Sequence, residues 1–61
     1  MKKSRVELLF QNGESSSYEK NVMSDHDAKL FADDRIILHG FSGEFIEKVR
    51  VIIDGRQIDY N

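Results

Sequence analysis

The chain contains no cysteine, no proline and no tryptophan in its 61 residues. Without cysteine there is no disulfide framework and no thiolate metal site, so neither can stabilise so short a chain. Without proline there is no Pro-rich recognition segment and no slow prolyl isomerisation. Charge of one sign is also scarce: nine Lys and Arg stand against eleven Asp and Glu, a formal net charge of -2. That balance disfavours sequence-independent binding to phosphate backbones, which needs a basic face. No run approaches a membrane span, and Met1-Lys2-Lys3 is followed by too short an apolar stretch for a signal peptide. A cytoplasmic protein is the default expectation, consistent with the lack of cysteine.

What is present is strand-forming alternation punctuated by turn residues. Val49 to Tyr60 holds two apolar-rich runs that meet at Asp54-Gly55, the dipeptide suited to a two-residue hairpin turn. Counting outward, Ile53 faces Arg56, Ile52 faces Gln57, Val51 faces Ile58, Arg50 faces Asp59 and Val49 faces Tyr60. Val49, Val51, Ile53, Ile58 and Tyr60 then share one face, with Arg50 and Asp59 on the other.

A second hairpin is expected over Ser4 to Lys20. Val6, Leu8 and Phe10 alternate with polar neighbours until Asn12-Gly13. A three-residue loop, Asn12-Gly13-Glu14, with a bulge sets Tyr18 opposite Leu8 on the apolar face, which a strict two-residue loop would not. The return strand Ser15 to Lys20 is polar, as suits a sheet edge.

Between the hairpins, Met23 to Asp34 reads as a helix of two to three turns, with Ser24 as its cap and Asp25 and Asp27 favoured by the helix dipole. Asp33 and Asp34 fall at the wrong end for that dipole. Arg35 to Phe41, with Ile36-Ile37-Leu38 uninterrupted, reads as a central strand covered on both faces. Gly43 to Lys48 is either a helical turn with Ser42 as cap or the start of the last hairpin.

The resulting expectation is a single α+β domain over residues 1–61, frayed over 1–4. It has an antiparallel sheet of four to five strands with one short helix, in the order β-β-α-β-β-β. An all-β small barrel, with 25–34 as an ordered loop, is the alternative.

No catalytic, cofactor or metal site is expected. Asp25, His26 and Asp27 point about 100° apart on a helix and do not converge on one ion, so a capping segment is the preferred reading. His39 lies in the apolar run as a proton-sensitive contact or, more plainly, as a hydrogen-bonded strand residue. The serines, histidines and acids form no Gly-x-Ser-x-Gly, phosphate-cradling or His-Glu-x-x-His pattern, and an enzyme is not expected.

The remaining feature is apolar surface on the second side of the sheet. Leu9 opposes Val6 and Leu8, and Ile46 and Ile52 oppose Val49, Val51 and Ile53. One short helix covers one face only, so the other calls for a partner. The leading expectation is a non-enzymatic protein-binding module, homodimeric, with Leu9, Ile46, Ile52 and Tyr18 of the edge strand at the interface. The alternative is a small single-stranded nucleic-acid-binding barrel using Lys2, Lys3, Arg5 and exposed aromatics. In size and style the chain resembles small proteins of Gram-positive bacteria and their prophages, in which a strand ending in Asn-Gly begins a compact hairpin-helix-strand unit. No specific motif carries that resemblance.

Overall fold

The computed structural model describes residues 1–58 and Tyr60. Two hairpins flank one helix: β1 (Lys2–Phe10), β2 (Ser15–Val22), α1 (Asp25–Phe41), β3 (Ile46–Ile53) and β4 (Arg56–Ile58). The strands form one open antiparallel sheet in the order β2-β1-β3-β4, with α1 against one face. The class is α+β, and the sheet is not closed into a barrel.

The C-terminal hairpin has the register its turn dictates. Asp54 and Gly55 take φ of 50° and 80°, the paired left-handed angles of a type I′ turn, and Val51, Ile52 and Ile53 pair with Ile58, Gln57 and Arg56. Glycine meets that second angle without the steric penalty a Cβ would bring. The proposed partner of Arg50, Asp59, lies outside the described residues. Asp54 also ties the turn to β1: its N–H donates to the Lys3 carbonyl at 3.0 Å and its Oδ1 accepts from the Lys3 N–H at 3.1 Å.

The first hairpin has a three-residue loop, one residue earlier than expected. Phe10 N–H donates to the Glu14 carbonyl and Gly13 N–H donates to the Phe10 carbonyl, so Gln11-Asn12-Gly13 is the loop. The register is displaced accordingly. Tyr18 does reach the apolar face, but opposite Val6, while Leu8 faces Ser16. The segment expected to fray is strand from Lys2, which pairs with Val22, and Ser4 is fully buried between Lys20 and Ile53.

The largest correction concerns residues 35–41. They are the last two turns of a 17-residue helix, not a strand, and the centre of the sheet is β1 beside β3. Ser24 caps the N-terminus, its Oγ accepting from the Asp27 N–H at 3.2 Å, with Asp25 and Asp27 in the first turn as the dipole favours. Ala28, Phe31 and Ala32 form the buried stripe, and Ile36 extends it. The helix runs on because no Gly, Pro or Asn interrupts it before Gly40. Asp33 and Asp34 are therefore mid-helix, where the dipole objection does not apply.

Ser42 closes the helix rather than opening one. Glu44 N–H donates to the His39 carbonyl and Gly43 N–H to the Gly40 carbonyl, with Gly43 at φ 80°. This is a Schellman ending, which needs a left-handed residue after the cap.

The core is Val6, Leu8, Phe10, Val22, Ala28, Phe31, Ala32, Val51 and Ile53. Among these sits Ser4, fully buried, with no hydrogen-bond partner for its Oγ among the described residues. A desolvated hydroxyl without a partner costs about 1–3 kcal/mol. Ser4→Ala is therefore expected to raise the urea midpoint of unfolding; a lowered midpoint would mean that the hydroxyl is satisfied in solution.

Candidate functional site

Three places on the molecule gather chemistry. The first is a chain of hydrogen bonds at the C-terminal end of α1. Tyr18 Oη lies 2.6 Å from His39 Nε2, and His39 Nδ1 lies 2.7 Å from Glu44 Oε1. The His39 ring also packs at 5.0 Å from Phe10, and the Arg35 guanidinium lies 5.0 Å from the Tyr18 ring. His39 thus joins the helix to the edge strand and to the Schellman ending. In sequence it had no assured partner, because Tyr18 is 21 residues away. A carboxylate, an imidazole and a hydroxyl in this order resemble a nucleophile with its base. Neither of the two hollows described below includes Tyr18 or His39 in its lining; the hydrogen bonds tie α1 to β2 and to the loop after the helix.

The second place is the open sheet face. Lys3, Arg5, Lys48 and Arg50 lie there with Glu7 and Glu19. Glu7 bridges Arg5 at 3.3 Å and Arg50 at 3.4 Å, and Lys3 meets Glu19 at 3.5 Å. A shallow hollow of about 320 Å³ is lined by Arg5, Glu7, Leu9, Ser17, Lys48 and Arg50, among others.

The four interface residues named from sequence do not come together. Leu9 and Ile52 share this open face but stand on either side of the Glu7–Arg50 pair, with Leu9 opposite Lys48 and Ile52 opposite Arg5. Between Leu9 and Phe10 the pairing shifts, so that Lys48 faces Leu9 while Ile46 faces Phe10. The extra residue, Glu47, turns Ile46 onto the core side, opposite to the side expected from plain alternation. Tyr18 likewise packs against the core on the helix side. The second face of the sheet is charged rather than apolar.

The third place was not anticipated. Reading 36–38 as strand hid it. Ile37, Leu38 and Phe41 project from the last turns of α1 at 55%, 51% and 86% exposure, and Phe45 in the following loop is 72% exposed. Leu30, two turns earlier, is half exposed on the same outer side. Beside Phe45 a hollow of about 370 Å³ is lined by Phe10, Gln11, Asn12, Gly43 and Glu44. Asp33, Asp34 and Glu44 supply acid nearby. The signal in the sequence was the spacing of positions 30, 37 and 41, legible only once the helix is known to continue.

No family model, curated protein or solved structure matches this chain. The residues are therefore the whole basis for a functional reading.

Among the described residues no three His, Cys, Asp or Glu side chains gather as a metal site. Asp25 instead lies between Lys2 at 3.7 Å and Arg56 at 3.6 Å. Among the described residues no helix is long and apolar enough to cross a membrane.

The Tyr60 phenol titrates late. Burial pushes the Tyr60 phenol up to about 12, and the hydrogen bond it donates to Asp33, together with that carboxylate's charge, pushes the same way. From about pH 10, where the unfolded tyrosine begins to lose its proton, to about pH 12 the folded chain holds a proton that the unfolded chain has released. Stability therefore falls as pH rises through that window. Absorbance of tyrosinate is expected to show a late step near pH 12 that Asp33→Asn moves to lower pH. A step unmoved by that change would remove the Asp33 contact.

Proposed function

We propose that this chain is a small non-enzymatic protein-binding module whose contact surface is the apolar end of α1 and the loop after it. The observation that carries the reading is the exposure of Ile37, Leu38, Phe41 and Phe45 within nine consecutive residues. Large apolar side chains clustered at one end are unfavourable in water and mark docking sites more often than scattered ones do. Asp33, Asp34 and Glu44 around them favour a partner with an apolar centre and basic flanks. The nucleic-acid reading draws less support. Phe10 and Tyr18 pack on the helix side, and the cations of the open face are interleaved with Glu7 and Glu19.

The reading is tested by selecting binding peptides from a random library on the immobilised protein, then measuring them against variants. Peptides with apolar and basic residues are expected. Their affinity should fall at least about tenfold, or about 1.4 kcal/mol, for the double variant Phe41→Ser, Phe45→Ser, and stay unchanged for Lys48→Ala. Peptides that bind the double variant as well as the parent would refute it.

A further inference from the structure

The strand β2 is an open edge of unusual regularity for so small a sheet. It is eight residues long, lies at the end of the order β2-β1-β3-β4, and pairs with β1 without a register shift. The opposite edge, β4, is only three residues and so is protected by its shortness. β2 has no proline and no bulge to deter a neighbour, and its lysine, Lys20, is occupied over the Phe31 ring on the helix side.

The hydrogen-bond alternation says which groups are free. Phe10 N–H donates to the Glu14 carbonyl, so the pairs that follow at every second residue, Leu8 with Ser16, Val6 with Tyr18 and Ser4 with Lys20, are the bonded ones. β1 accordingly turns its odd residues toward β3, as the Asp54 N–H on the Lys3 carbonyl shows. Ser15, Ser17, Glu19 and Asn21 then direct their backbone N–H and C=O groups outward, where no strand of the described residues meets them.

We propose that this edge pairs with β2 of a second copy of the chain, antiparallel, about a two-fold axis at Tyr18. The axis joins Ser15 to Asn21 of the partner subunit and Ser17 to Glu19 of the partner subunit, the residues whose backbone groups are free. Charge excludes the register centred on Glu19. Glu19 faces a serine and Lys20 faces Ser16 of the partner subunit, whereas an axis at Glu19 would set that carboxylate against its own copy. The flank of α1 beside β2 suits the same neighbour. Phe31, Arg35 and Leu38 follow at helical spacing, with Lys20 over Phe31 and Arg35 over Tyr18. Leu38 is half exposed on that flank, and Asp34 beside Arg35 gives each copy an acid to set against the partner's base. The result is an isologous dimer with one continuous sheet and both helices on one side. This inference rests on the strand edge and not on Phe41 and Phe45; it shares only Leu38 and Asp34 with the module reading.

The test is sedimentation of the full chain from micromolar to millimolar concentration, with amide exchange measured at both ends of that range. The mass is expected to double, and the Ser15, Ser17, Glu19 and Asn21 amides to exchange more slowly as concentration rises. Ser17→Pro removes an N–H that no strand within the chain uses, at an edge where proline is tolerated, and should weaken association more than tenfold. Should that variant not fold, the wild-type exchange data decide. A monomer at millimolar concentration, edge amides indifferent to concentration, or a dimer unaffected by Ser17→Pro would overturn the proposal. A dimer lost only with Phe41→Ser, Phe45→Ser would overturn it too, and assign self-association to the apolar end instead.

Discussion

Leu8→Ala is expected to remove a large share of the stability of the fold at room temperature. Leu8 is fully buried in a central strand, with Ser16 opposite on one side and Val49 on the other. Truncating a buried leucine costs about 2–5 kcal/mol, from the lost transfer of its methyl groups and from the cavity left behind. A domain of this length holds roughly 3–9 kcal/mol in all, at the usual stability per residue. The loss is thus a large share of the whole. Leu9→Ala, one residue on and 37% exposed on the open face, is the control and should cost well under about 1 kcal/mol. Urea unfolding followed by circular dichroism compares the two. Equal midpoints would mean that β1 does not present alternate residues to the helix as described.

Ile37→Pro should have the second-largest effect, although the side chain it removes is more than half exposed. Proline in a helix interior forfeits a backbone hydrogen bond and clashes with the preceding turn, about 3 kcal/mol or more. Ile37→Ala exposes less apolar surface and raises helix propensity, so it should leave the melting temperature unchanged or slightly higher. This pair of substitutions separates backbone from side chain. In a central strand Ile37→Ala would be the costly core truncation, so a large loss for alanine would contradict a helix through this segment.

That segment marks the limit of what the residues alone made legible. The two turns were readable because their chemistry is local: Asp54-Gly55 supplies the left-handed angles itself, and the register follows by counting. Ser24 as cap was readable for the same reason. The first hairpin slipped by one position because the type of turn depends on which residue carries the left-handed angle, and Asn12 and Gly13 both tolerate it. Ile36-Ile37-Leu38 misled because branched residues in a run suit a strand, while helix packing through Ala28, Phe31, Ala32 and Ile36 overrides that preference. Uninterrupted sequence from Asp25 to His39 was the countervailing signal. The surface consequences followed. Leu9 and Ile52 lost their neighbours to Glu7 and Arg50, Ile46 was turned inward by the bulge, and the apolar end of α1 took over as the exposed patch. The Tyr18–His39–Glu44 chain was not legible in advance, since it exists only when the helix returns along β2.

The binding surface proposed at the end of α1 depends on the helix continuing to Phe41, because only then do Ile37, Leu38 and Phe41 leave the sheet and face water. The direct measurement is the pattern of backbone proton contacts in isotope-labelled protein over Arg35 to His39. Strong contacts between successive amide protons, with α-proton to amide contacts three residues on, are the expected result. Strong contacts from each α-proton to the next amide, with cross-strand contacts to Val6 or Val51, would bury those side chains in the sheet and contradict the account.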